Sequence, residues 1–128
     1  MPAAAFILVV MGLFALTLSR NTAQTKVSSL QEGISLQAFY AAESGAQYAM
    51  NQLFYNAADR ATVDANCVTV NGSTSTFSVP GLNNCSSTLS CSLQPVAGVS
   101  YYAIESDGVC GTGSLSARRT IAVSALME

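Results

Sequence analysis

The chain has 128 residues, room for one domain and an appendage. Half of them are hydrophobic and only 9% are charged, which excludes an ordinary Lys/Glu-rich soluble surface. A net charge of −2, with basic residues adjacent only at Arg118-Arg119, offers no basic patch for nucleic acid, and the lack of His removes the commonest general base and metal ligand.

Residues 2–18 read PAAAFILVVMGLFALTL, and Arg20 is the first ionisable side chain. These 17 residues rise roughly 25 Å as a helix, just short of the ~30 Å hydrocarbon core. The run is expected to span a membrane marginally, with thinning or snorkelling at Arg20. A signal peptide fits poorly, because no basic segment precedes the run and the helical pattern continues beyond it. Pro2 falls in the first turn, where its missing N–H costs nothing. Ala3, Ala4, Ala5, Gly12 and Ala15 keep the helix thin enough for close approach by other helices. The large side chains Phe6, Ile7, Leu8, Val9, Val10, Leu13, Phe14 and Leu16 are the expected packing surface.

No Pro occurs between Pro2 and Pro80. From Val27 onward, Val27, Leu30, Ile34, Ala38, Ala41, Ala42, Ala49 and Leu53 recur at three- and four-residue steps. The expectation is one helix over residues 1–58, apolar over 1–19 and amphipathic over 20–58, followed by a head over 59–128. Such a helix would be roughly 85 Å long, too long for one compact domain of this size. Its first half must be buried by something other than its own chain. Gly33 and Gly45 each cost the helix about 1 kcal/mol relative to Ala. They mark either weak points or thin spots where another element crosses.

The apolar start, the unbroken helix and the segment LQAFYAAESGAQYAMNQLF (residues 36–54), together with the tail RRTIAVSALME (residues 118–128), carry a resemblance. The chain resembles type IV pilin-like subunits, in particular the minor pilins of mannose-sensitive haemagglutinin pili (biogenesis protein P) and PilX-type minor pilins. The resemblance implies an α+β fold: a long N-terminal α-helix packed against a small antiparallel β-sheet head. It also implies cleavage of a short leader and methylation of the new N-terminus, here expected at Met1. Partners would be other copies of the chain or other pilins. The location would be the inner membrane before assembly and an extracellular filament afterwards.

Two departures matter. Major pilins mostly carry Glu at the fifth mature position, where this chain has Ala5, and often Pro near position 22, where it has Thr22. Losing the carboxylate removes a charge-assisted contact in a low-dielectric bundle. The resemblance implies that subunits lacking it often prime or cap the fibre, which favours a minor or tip pilin over a major subunit.

In the head, NAADRATVDAN (residues 56–66) loses the apolar pattern and is expected to end the helix. Cys67–Val70 alternates like a short strand, and Asn71-Gly72 signals a turn. Further strands are expected at Ser73–Val79, Leu89–Val96, Ser100–Ser106 and Arg119–Leu126, the middle pair joined through Ala97-Gly98. Cys67, Cys85, Cys91 and Cys110 lie at spacings of 18, 6 and 19, without the CxxC knuckles of a zinc site. They read as two disulfides formed in an oxidising compartment. Three connectivities exist; Cys67–Cys85 with Cys91–Cys110 is expected, because each closes a short loop. No cofactor is expected.

Glu43 is read either as a partner for Arg20 or Lys26 of a neighbouring subunit or as part of a solvated face. Glu105 and Asp107 share a strand face, but without a third ligand a calcium site is weakly supported. The Phe and Tyr residues are expected to fill the seam between helix and sheet. Asn71-Gly72-Ser73 and Asn84-Cys85-Ser86 match glycosylation acceptors that arise often by chance. The functional expectation is a structural filament subunit rather than an enzyme. The alternative is a membrane-anchored adhesin whose head contacts a surface or glycan.

Overall fold

In a computed structural model the chain is α+β. The structure describes residues 2–128, with the side chains of 18–29 excepted, so Met1, Arg20 and Lys26 lie outside the described residues as candidate sites. The elements are α1 (Pro2–Leu53), α2 (Arg60–Val70), β1 (Thr74–Phe77), β2 (Cys85–Val96), β3 (Val99–Thr112) and β4 (Leu115–Met127). The chain forms two compact units, one up to Glu32 and one from Gly33 to Glu128.

Helix α1 stops at Leu53, five residues before the expected end, for a local reason. Asn56 takes a left-handed conformation (φ 49°), which a helix cannot continue. Asn66 of α2 then donates its side-chain amide to the carbonyls of Leu53 (3.0 Å) and Tyr55 (3.2 Å). Those acceptors would otherwise be orphaned at the helix end. The expected strand at Cys67–Val70 is instead the last turn of α2. Asp59 caps this helix, accepting from the Thr62 amide (2.9 Å) and the Thr62 hydroxyl (2.6 Å). The hydroxyl first and the amide second hold the Asp59 carboxyl below its ordinary range. Val63, Cys67 and Val70 then fall on one buried face at helical spacing.

The four strands form an antiparallel meander in the order β1-β2-β3-β4. A two-residue turn at Ala97-Gly98, both with positive φ, joins β2 to β3. Asp107-Gly108 does not interrupt β3, because Gly108 sits inside the strand opposite Ser87 and Arg119. There it admits the helix: a methyl group at Gly108 would stand 2.5 Å from the Ala42 amide nitrogen.

Two clusters make the core. One joins Ala49 and Leu53 of α1, Val63, Cys67 and Val70 of α2, and Leu89, Cys91, Tyr102 and Ile104 of the sheet. The other joins Ala38 and Ala41 to Cys85 and Cys110. At the second cluster the buried contact between helix and sheet is therefore built from alanine, glycine and cysteine. Tyr102 is buried in the first cluster and Phe77 packs half-buried against the second, whereas Phe39, Tyr40, Tyr48, Phe54, Tyr55 and Tyr101 are exposed. The expectation that aromatics fill the seam fails for these six because the backbones approach too closely. Gly45 lies against Ser87 and Ser106, where a larger side chain would collide.

The disulfides are Cys67–Cys91 and Cys85–Cys110, not the expected Cys67–Cys85 and Cys91–Cys110. The register decides this. Cys85 stands directly opposite Cys110, with Cα atoms 4.1 Å apart. Cys91 lies six residues along the same strand, about 20 Å away. It meets Cys67 because α2 crosses β2 there, with Cα atoms 5.5 Å apart.

Candidate functional site

In the first unit, the side chains of residues 2–17 are all exposed. Phe6, Leu8 and Phe14 are each about 70% open, and Ile7, Val9, Val10, Leu13 and Leu16 are exposed beside them. The surface is apolar because the helix hides its own polar groups. Backbone groups bond along the helix, and the Thr17 hydroxyl donates to the Leu13 carbonyl at 3.0 Å. Gly12 has nothing within 4 Å of where a side chain would begin, leaving a notch in the surface. Contiguous exposed apolar surface of this kind marks an interaction site. Burying these side chains would contribute on the order of 10 kcal/mol.

Among the described residues no helix is long and apolar enough to cross a membrane; the expected run continues to residue 19, past the last described side chain of this stretch, Thr17.

The second unit carries two further surfaces. Along α1, Leu36, Phe39 and Tyr40 stand on the face turned away from the sheet. The Phe39 and Tyr40 rings meet edge to face at 6.0 Å. On the outer face of the sheet, Ser92, Ala103 and Ser124 form one cross-strand row and Gln94, Tyr101 and Leu126 the next. They line a shallow groove of about 660 Å³ with no ionisable carboxylate or amine in its lining.

Glu43 is half-buried beside Ala46, Gln47, Met50, Ile121 and Val123, and it forms no ion pair among the described residues. Asp107 is engaged by Arg118 (3.2 Å) and by the Thr120 hydroxyl (3.2 Å), while Glu105 is exposed. Among the described residues no group of three His, Cys, Asp or Glu could hold a metal ion. All four cysteines are bonded. Tyr102 donates to Asp64 at 2.5 Å, tying β3 to α2; burial first and this bond second push its phenol above the ordinary value. Sequence reasoning missed α2 and with it this pair, although Asp59-x-x-Thr62 is a legible cap.

The described surface is thus marked by exposed apolar side chains on residues 6–16 and by exposed apolar and aromatic ones along α1. Scans against protein-family models, curated proteins and solved structures return no match for the chain.

Proposed function

We propose that this chain is a type IV pilin-like structural subunit of an extracellular filament on the bacterial surface, with a minor or tip role favoured over the shaft. The observation that carries the reading is the exposed apolar face of residues 2–17, ahead of a small disulfide-stapled α+β unit. Helices of neighbouring subunits would bury that face around Phe6, Leu8, Val9, Leu13 and Phe14, with the small residues Ala5, Gly12 and Ala15 allowing close approach. Before assembly the same run would hold the subunit at the inner membrane. Lipid and helix bundle are both dry, so the exchange between them costs little.

The test is to shear surface filaments from cells expressing the chain and map their peptides, alongside a Leu13→Lys variant. Peptides of this chain in the filaments, lost with Leu13→Lys, support the proposal. Their confinement to membrane fractions sinks it.

A second reading is a membrane-anchored binding module that does not polymerise. The neutral groove with Tyr101 as an aromatic platform favours a sugar or surface contact there. It predicts that the subunit binds such a ligand while remaining dispersed.

A further inference from the structure

Strand β4 is a free edge of the sheet, and a long one. Among the described residues β3 is its only neighbour in the sheet, and it has 13 residues where the opposite edge, β1, has four. Proteins blunt exposed edges by shortness, charge, proline or a covering element, because unpaired backbone groups recruit other strands. Brevity protects β1. Over residues 120–127 (TIAVSALM) β4 contains no charge, no Pro and no Gly. Its arginines, Arg118 and Arg119, sit before this stretch.

The face beside that edge is also incomplete. Ile121, Val123, Ala125 and Met127 alternate on the helix side of the sheet, and each is only half-buried. Ile121 and Val123 share a groove of about 380 Å³ with Ala46 and Met50 of α1, which Glu43 and Gln47 also line. A further strand laid along β4 would satisfy the edge's backbone groups and set its own alternate side chains over this groove.

We propose that this strand is β4 of a second copy, paired antiparallel about a two-fold axis through Val123. In that register Val123 meets Val123 and Ile121 meets Ala125 on the inner face. Ala122 meets Ser124 and Thr120 meets Leu126 on the outer face. Charge selects the register. It sets Glu128 opposite Arg118 of the second copy, a cation whose near neighbour is Asp107 at 3.2 Å. Shifting the axis by one residue sets Glu128 opposite Ser116 or Thr120 instead, and the pairing of opposite charges is lost. The two four-stranded sheets then become one continuous sheet, with an isologous interface in which each copy supplies the same residues. This pairing does not rest on the filament reading, since it uses no residue of the apolar run.

The test uses the full-length chain in detergent micelles, with its native disulfides intact and one thiol added. Val123→Cys is oxidised mildly by itself, and Arg118→Cys is oxidised in mixture with Glu128→Cys. Ser90→Cys, on the exposed face of β2, is the control. Thiols held opposite each other act at an effective concentration far above their free one. Both arms should therefore give covalent dimers roughly tenfold above the control. Both arms at the control level overturn the pairing, and Val123 linking without the Arg118/Glu128 link overturns the register. If Val123→Cys fails to fold, the exposed Arg118/Glu128 pair decides alone. Shearing filaments tests the separate filament reading, whichever way this result falls.

Discussion

Gly45 of α1 faces Ser87 of β2 so closely that a methyl group on the glycine would stand 2.7 Å from the serine hydroxyl oxygen and 2.9 Å from its Cβ. The helix thus crosses the sheet where both partners are small. In water, Gly45→Ala would add about 1 kcal/mol of helix propensity. Here that gain is exceeded by overpacking, and we expect a net loss of about 1–2 kcal/mol. Combining it with Ser87→Gly should recover part of the loss, which marks the cause as contact rather than backbone. Gly33 gives the opposite sign: nothing lies within 4 Å of it, so Gly33→Ala should gain about 0.5–1 kcal/mol. Thermal unfolding of the disulfide-intact chain checks both.

The two disulfides close loops with sequence separations of 24 and 25. By the chain-entropy account, each contributes about 3.5 kcal/mol by restricting the unfolded chain. Replacing Cys67 and Cys91 together by Ser should lower stability by about that amount. It should also loosen α2, which that bond ties to β2. Peptide mapping without reduction should recover Cys67 with Cys91 and Cys85 with Cys110. A Cys67–Cys85 peptide would contradict the strand register.

How far the fold was legible depended on whether the signal was local. The long helix, β1, the Ala97-Gly98 turn and a final strand follow from periodicity and turn chemistry, although α1 ends five residues before the expected 58 and β4 begins at Leu115, four before the expected Arg119. The connectivity was not legible, because it depends on β2–β3 register, and register is a long-range property. Cys67–Val70 alternates as a strand would, yet Asp59 caps a helix whose buried residues, Val63, Cys67 and Val70, are three or four apart. Two periodicities overlapped there, and the tertiary contact with Cys91 decided between them. The placement of the aromatics was missed for a related reason. Side-chain size says that Phe39 and Tyr40 can be buried, but the alanine–glycine seam leaves no volume for them.

Tyr102 reports on the α2 junction through pH. Burial and its bond to Asp64 raise the phenol's proton affinity in the folded chain. A group whose folded pKa is raised contributes its stability in full below the unfolded pKa, near 10.0 here, and loses it as pH climbs through the folded value. Urea midpoints should therefore fall on the alkaline side of that value. In Tyr102→Phe that contribution to the slope should vanish. The variant should also lose about 2 kcal/mol at neutral pH, the size of a hydrogen bond to a charged acceptor. An unchanged alkaline slope in the variant would show that Tyr102 is not the responsible group.

Ala97 is the residue in this head whose side chain suits its backbone least. It occupies the first position of the two-residue turn between Val96 and Val99 with φ 52°, and Gly98 follows at 83°. Left-handed conformation costs a residue with a Cβ roughly 1 kcal/mol, and less for Asn, whose short amide bonds locally. Nothing lies within 4 Å of where a side chain at Gly98 would begin, and Ala97 itself is exposed, so a polar replacement at 97 meets no obstruction. Ala97→Asn creates the Asn-Gly pair that this turn type prefers and should raise stability by about 0.5–1 kcal/mol. Ala97→Val should lower it, since a β-branched side chain tolerates positive φ least. If the two substitutions shift the thermal midpoint in the same direction, the turn is not held in the conformation described.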